Sequence, residues 1–281
     1  MASPEDAVLT ARSTRVRRAK GLARRNSRHE QRRFLIEGVK TLKAALGVPG
    51  CIETVFATPE IARQFPDLEE LVRETGAWWH LADDEAISLL AGSTTPQGVV
   101  AVAGFIDVAA TQVLSGPGPI LICADVRDPG NAGAIIRVAD AGGASGVILA
   151  GNSVDPYNDK TVRATVGSLF QIPIAIAPDV LHVIRDAKAA GFTTLAADGQ
   201  GDTGLYSASG RELSTHKVAW VFGNEAWGLP GDLLELADHV VAIPILGGAE
   251  SLNLATAAAV CLYARFGQLD PAEGKPAARV D

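Results

Sequence analysis

The amino-acid sequence predicts an α/β protein in two parts: a small α/β domain, then a larger one built on a mostly parallel sheet with flanking helices. Three observations carry this. Short apolar runs alternate with stretches of helical spacing along most of the 281 residues, a length sufficient for two cores. The runs of the second half, such as "PILICADV" and "GVILAG", are apolar at nearly every position, the pattern of strands buried on both faces. Residues 107–118 ("DVAATQVLSGPG") combine small and turn-forming residues and read as a linker between the halves.

The elements follow in order. "FLIEGVKTLKAAL" (34–46) has helical apolar spacing and stops at Gly47; "IETVFAT" (52–58) reads as a strand; "PEIARQFPDLEELVRETG" is helical with a proline break. "AWWHLA" is a strand, "DDEAISLLAG" a short helix beginning at an acidic cap, and "GVVAVAGF" (98–105) a strand that closes the small domain near residue 106. Past the linker come strand "PILICADV", helix "NAGAIIRVADA" stopped by Gly142 and Gly143, strand "GVILAG", helix "NDKTVRATVGSL" and strand "QIPIAI". Helix "DVLHVIRDAKAAG" and strand "TTLAAD" follow, then a polar loop with four glycines between 199 and 210. Strand "KVAWVFG", a short helix around "DLLELA", strand "HVVAIPI" and an apolar helix from Ser251 to about Phe266 complete the pattern. The expected organisation is a basic arm (1–33), a small domain (34–106), a linker (107–118), the large domain (119–268) and a disordered tail (269–281). No internal repeat is found.

Charge is distributed unevenly. Residues 1–43 hold 12 Lys/Arg against 4 Asp/Glu, whereas the whole chain has a net charge of −7. Ten of those basic residues lie between Arg12 and Arg33, with Glu30 the only acid among them. Such a segment attracts polyphosphate and makes binding salt-dependent, although a charge run alone is as often a solvated, partly helical tail. Three cysteines (Cys51, Cys123, Cys261) without a CxxC pair argue against a disulfide framework and a cysteine zinc site, and fit a reducing cytoplasm. The opening "MASPEDAVLTARSTRVRR" has no apolar core behind its charges and is not expected to be a secretory signal; no run is long enough for a membrane span. The five histidines are scattered, and no metal site is expected.

Three polar clusters lie beside predicted strand ends, where ligands of parallel sheets bind. "RDPGNAGAIIRVADA" spaces Asn131, Gly133 and Arg137 as NxGxxxR, with glycines that allow close backbone approach before a helix N-terminus. "VFGNEAWGLP" (221–230) brackets an amide, a carboxylate and Trp227 between two glycines. "IPILGGAESLNLATAAA" turns at Gly247 and Gly248 and leads Ser251 and Asn253 into the last helix. Taken singly each has a plainer account: a tight turn, a surface carboxylate at Glu225, a packing indole at Trp227, an N-cap at Ser251. Three such clusters on one sheet are harder to explain as turns.

In order and spacing the clusters resemble the motifs of the SpoU (TrmH) family of RNA ribose 2'-O-methyltransferases, in the SPOUT class: NxGxxxR, FGNExxGL (here "FGNEAWGL") and IPxxGxxxSLN (here "IPILGGAESLN"). This resemblance covers 119–266. More weakly, "RRFLIEGVKTLKAAL" and "TPQGVVAV" resemble the substrate-binding domain of many members, a fold similar to a ribosomal protein. The resemblance implies a C-terminal trefoil knot, an exception to the rule that chains avoid knots. It also implies a homodimer, S-adenosylmethionine as methyl donor, and no metal. Carried over by motif, Gly223, Asn224, Ile243, Gly248 and Leu252 contact the cofactor, glycine at 223 being expected because a side chain would fill the cofactor's space. Asn131, Arg137, Glu225, Ser251 and Asn253 form the catalytic set.

A guanidinium, with a pKa above about 12, is a poor base, so Arg137 is expected to grip a phosphate beside the target ribose and stabilise the developing alkoxide. Asn131, Ser251 and Asn253 orient it, and Glu225 holds the loops or the arginine. Arg12, Arg15, Arg17, Arg18, Arg24, Arg25, Arg32 and Arg33 are the expected RNA-binding residues. The expected substrate is 23S ribosomal RNA, with transfer RNA as the alternative; self-protection against a ribosome-directed antibiotic is compatible with this, and no residue names the nucleotide. Competing readings are a dinucleotide-binding oxidoreductase using Asp155, which lacks GxGxxG, a serine hydrolase built on Ser214 and Lys217, and an RNA-binding protein that has lost its chemistry.

Overall fold

The computed structural model describes residues 8–213 and 217–265. The disordered tail expected at 269–281, the start of the basic arm and Ser214 lie outside them. The chain forms two compact units, residues up to 107 with 155–171, and residues 108–154 with the chain from 172 onward.

The first unit contains α1 (Thr14–Lys20), a 3-10 turn (Gly21–Ala23), α2 (Arg25–Gln31), β1 (Arg33–Glu37), α3 (Val39–Leu46), β2 (Ile52–Ala57), α4 (Pro59–Gln64), α5 (Leu68–Glu74), β3 (Trp78–Leu81), α6 (Asp84–Leu90) and β4 (Val99–Gly104). Numbering in chain order, it also takes α9 (Asp159–Thr165). Its four strands run β1-β4-β2-β3, with only β2 and β3 parallel. Residues 34–37 correct the expected helix: they are a strand, because Phe34 and Ile36 alternate into the core and Gly38, at φ 92°, breaks the chain before α3. The acidic cap before α6 is Asp83, whose carboxylate accepts from the Ala86 N–H at 2.7 Å. The basic segment is not a solvated tail from Leu9 onward. Leu9 bridges to Ala82, and Val16, Ala19 and Leu22 are buried against Phe56 and Val102.

The second unit contains α7 (Ala110–Leu114), β5 (Ile120–Ala124), α8 (Pro129–Ala141), β6 (Gly146–Ala150), β7 (Ile174–Ala177), α10 (Val180–Ala189), β8 (Thr193–Ala197), β9 (Thr203–Gly204), α11 (Ala208–Leu213), β10 (Val218–Phe222), α12 (Gly231–Leu236), β11 (His239–Ala242) and α13 (Leu254–Tyr263). The sheet order is β7-β6-β5-β10-β8-β11-β9, every pair parallel. Strands β5, β6 and β10 are buried at every position, as their unbroken apolar runs require. Two expectations change in detail. The linker carries the helix α7, anchored by the buried Val113 and Leu114, and the four-glycine loop contributes the edge strand β9. Because parallel strands end on one side, the loops after β5, β10 and β11 converge there.

Candidate functional site

The loop after β5 is held by side chains rather than by ladder bonds. Asp125, at φ 55°, accepts the Asn152 N–H at 2.6 Å on its carboxylate, and its carbonyl accepts from Asn224 Nδ2 at 2.7 Å. Helix α8 starts at Pro129, two residues before Asn131, because Asp128 is its cap: Oδ1 accepts the Asn131 N–H at 2.7 Å, and proline at the first turn gives up a donor that would have no partner.

The loop after β10 is a tight turn. Asn224 and Gly228 exchange backbone hydrogen bonds at 3.0 and 2.9 Å, with Gly228 at φ 69°. Glycine at 223 has a structural reason besides the one expected. A β-carbon there would meet the carbonyl carbon and oxygen of Gly228 and lie 2.7 Å from the Leu229 nitrogen. The turn's own backbone already excludes a side chain.

Glu225 projects from this turn and binds the neighbouring loop. Its carboxylate accepts from the N–H groups of Arg127 (3.3 Å) and Asp128 (3.1 Å) and from Asn131 Nδ2 (3.1 Å). Partial burial pushes the Glu225 carboxyl up, but its own backbone N–H, Asn131, Arg127 and Asp128 outweigh this and hold it below the usual carboxylate range. Asn253 completes the chain of contacts. Its Nδ2 donates to Asn131 Oδ1 at 2.9 Å while its Oδ1 caps α13 by accepting from Ala255 and Thr256. The cap is therefore Asn253, and the helix begins at Leu254 rather than at Ser251. One hydrogen-bonded chain, Asn253–Asn131–Glu225, thus ties the three sequence clusters together.

Beside this chain lies a cavity of about 550 Å³. Asn131, Glu225, Ser251 and Asn253 of the catalytic set line it, as do Asn224, Ile243 and Leu252 of the cofactor set. Gly223 is buried behind the turn, Gly248 is exposed on its loop, and neither lines the cavity. Arg137 is exposed, does not line it either, and has no hydrogen bond or ion pair among the described residues. Glu225 holds the loops and not this arginine. The cavity also takes Ala197, Asp198, Gly199 and Val241, which the sequence clusters do not contain, and Ile245 and Glu250, which lie in the third cluster without an expected role. The Asp128 cap was missed although "DPGN" carries its signal; Asp198 had no motif to announce it. Its volume falls within the roughly 300–1,000 Å³ range of small-molecule sites, with apolar walls and a few convergent polar groups.

Trp227, half exposed, stacks with Arg127, whose guanidinium lies 5.0 Å from the indole centroid. The indole thus packs over the residue whose N–H Glu225 binds.

Of the expected RNA-binding residues, Arg12, Arg15, Arg17, Arg18, Arg24 and Arg25 are exposed and without an ion pair among the described residues. Arg32 is paired with Asp107 at 3.2 Å and stacked on Phe105, and Arg33 is paired with Glu53. Arg28 is buried in an ion pair with Asp155 at 2.7 Å. That pair commits Asp155 to structure and removes the acid of the dinucleotide reading. Lys217 donates to the Ala190 carbonyl at 3.1 Å and covers the Phe192 ring, so it too is occupied. Burial pushes the thiols of Cys51 to about 11 and Cys123 to about 12, and Cys261 also upward, which makes them unreactive. Among the described residues no group of three or more His, Cys, Asp or Glu could hold a metal ion.

Comparison with known proteins gives the same reading. Residues 118–263 match the SpoU rRNA Methylase family, and residues 13–101 match the MRM3-like substrate binding domain. The chain is 32% identical over 257 residues to the 23S rRNA (guanosine(2553)-2'-O)-methyltransferase RlmP of Bacillus subtilis, covering 91% of this chain and 97% of that one. It is 31% identical to the 23S rRNA (uridine(2479)-2'-O)-methyltransferase of Streptomyces viridochromogenes, covering 93% and 92%. The AdoMet-bound rRNA methyltransferase from Sinorhizobium meliloti superposes with a TM-score of 0.82 at 33% identity, over 94% of this chain and 98% of that one. With three motif loops joined around one cavity and both halves of the chain matched, this protein belongs to the SpoU rRNA methylase family.

Proposed function

We propose that the protein transfers a methyl group from S-adenosylmethionine to the 2'-hydroxyl of a ribose in 23S ribosomal RNA. The observation that carries this is the Asn253–Asn131–Glu225 chain, which holds the three motif loops around a cavity of suitable size and lining. The donor supplies an activated methyl group on a sulfonium. Ile243, Ile245 and Leu252 offer apolar walls for its adenine, and the carboxylates of Asp198 and Glu250 suit its positive charge. Relatives that are named 23S rRNA ribose methyltransferases, and a solved neighbour that holds AdoMet, support both substrate and donor.

The chain's own residues bind and position. Methyl transfer requires the ribose oxygen to lie along the sulfur-to-methyl axis, so orientation carries much of the rate. Asn131, fixed from both sides, and Ser251 on the cavity wall orient the ribose. Arg137, with its guanidinium unengaged among the described residues, binds the adjoining phosphate and stabilises negative charge developing on the attacking oxygen. The first unit binds the RNA through the exposed arginines of residues 12–25, largely by shape and backbone charge.

The reading extends to assembly and topology. A trefoil knot in the second unit is supported by family membership and by α13 packing on α8, and a homodimer by the half-exposed apolar α13 and by Leu246, which is 97% exposed. Among the described residues no helix is long and apolar enough to cross a membrane; a ribosomal RNA substrate and three free cysteines suit the cytoplasm.

Mapping ribose methylation on ribosomal RNA from cells with and without the protein tests the proposal. One 23S position losing its methyl group supports it, and loss confined to transfer RNA, or no loss, overturns it.

A further inference from the structure

Adjacent tryptophans on β3 are used in opposite ways. Trp79 is 5% exposed and Trp78 is 61% exposed, because successive residues of a strand face opposite sides of the sheet. Strand β3 is an edge of its sheet, and the Trp78 side chain has no ring contact or hydrogen bond among the described residues. It lines a half-open cavity of about 640 Å³ on the sheet face that α1 only partly covers. An indole left this exposed is an uncommon surface residue unless a ligand covers it.

The charge around that cavity is one-sided. Arg15 and Arg18, three residues apart and on one face of α1, stand at its rim with no ion pair among the described residues. Glu53 is the only acid in its wall and is already paired with Arg33. Nothing lies within 4 Å of the β-carbon positions of Gly50 and Gly76, so the wall is open there. An uncovered aromatic face beside two unpaired guanidinium groups is the arrangement that holds single-stranded nucleic acid, through stacking plus phosphate contacts.

Building on the ribosomal RNA reading above, we propose that Trp78 is the floor of a binding site for one unpaired nucleotide of the RNA substrate. The base stacks on the indole, and the adjoining phosphates meet Arg15 and Arg18. The site selects single-stranded or bulged RNA over a continuous helix, since a paired base has no free face to offer. It lies within the first unit and holds the substrate by contacts that take no part in the chemistry.

Fluorescence anisotropy of the full chain without S-adenosylmethionine tests this. The probes are a fluorescein-labelled single-stranded RNA of about a dozen nucleotides and a fully paired duplex of the same length. Trp78→Ala should weaken single-strand binding by about tenfold and duplex binding by less than about twofold, while Trp78→Phe stays within about threefold of the parent. The double change Arg15→Ala, Arg18→Ala should weaken both and reduce the single-strand salt slope by about 1.4. Equal weakening of both probes by Trp78→Ala, or none, overturns the proposal. So does a change of oligomeric state with RNA affinity unchanged, which would show that a second copy covers the indole. Should Trp78→Ala not fold, Trp78→Leu keeps apolar bulk without the ring and is read by the same criteria. Because no donor is present, failure to methylate any RNA would remove the ribose methyltransferase reading and leave this result standing.

Discussion

The motif loops of the second unit and the basic segment of the first differ in how residue identity becomes role. In the loops the amides and the carboxylate have defined structural assignments: Glu225 binds two backbone N–H groups and Asn131, and Asn253 binds Asn131 and caps its helix. In the basic segment, chemically identical arginines take unlike roles. Arg28 is buried against Asp155, Arg32 and Arg33 are paired, and Arg15 and Arg18 stand free at a cavity rim. Hydrogen-bonding geometry fixes role through type and spacing, whereas charge alone leaves the role to tertiary position.

The largest expected effects lie where each region depends on one group. Arg137→Ala should lower methyl transfer to ribosomal RNA by at least about 100-fold, comparable to removing a group that stabilises transition-state charge. Cofactor affinity, measured by calorimetry, should stay nearly constant, because Arg137 does not line the cavity; retained activity would remove it from the catalytic set. Asp155→Ala leaves the Arg28 guanidinium buried without its counter-charge and should cost about 3–5 kcal/mol in denaturant unfolding. An effect below about 1 kcal/mol would mean that Arg28 is as replaceable as its exposed neighbours and would erase the contrast.

Smaller effects sharpen the comparison. Gly223→Ala forces a β-carbon into the Gly228 backbone, which has no flexible end to yield, and should cost about 1–3 kcal/mol together with much of the cofactor affinity. Thermal unfolding with and without S-adenosylmethionine separates the two losses. Glu225 should give the second unit an acid sensitivity. Its folded carboxyl is held low, so its contribution is complete above the ordinary glutamate value of about 4.3 and is lost as pH falls through the depressed folded value. Glu225→Gln should flatten the stability profile in that window, and an unchanged profile would mean that the carboxylate is not the loop anchor. Least of all, Arg17→Ala should leave stability within about 0.5 kcal/mol and reduce the salt slope of RNA binding by about 0.7 to 0.9.

Much of the architecture was legible in the residues for physical reasons. Strands β5, β6 and β10 announce burial on both faces by being apolar at every position, whereas the start of α8, read at Asn131, lies two residues earlier, at Pro129 after the Asp128 cap. Residues 34–37 were misread because a short alternating run next to a true amphipathic helix shares apolar positions with it, and Gly38 marks the boundary only through its backbone angle. Motif type and spacing pointed to Asn131, Asn224, Glu225, Ile243, Ser251, Leu252 and Asn253, which line the cavity, and also to Gly223, Gly248 and Arg137, which do not. Asp198 and Glu250 enter the cavity through loop geometry, Gly223 is required by the turn's own backbone, and Trp227 gains its partner Arg127 from a loop a hundred residues earlier in the chain. Periodicity carries none of these.

The central claim is that the cavity beside Asn253–Asn131–Glu225 directs methyl transfer to a ribose oxygen. Incubating the protein with methyl-labelled S-adenosylmethionine and unmodified 23S ribosomal RNA, then hydrolysing the RNA with alkali, tests it most directly. A 2'-O-methyl group blocks the attack of that oxygen on its own phosphodiester, so the account predicts label in one alkali-resistant dinucleotide, lost in Arg137→Ala. Label in single nucleotides, as a methylated base would give, or no label at all, would contradict it.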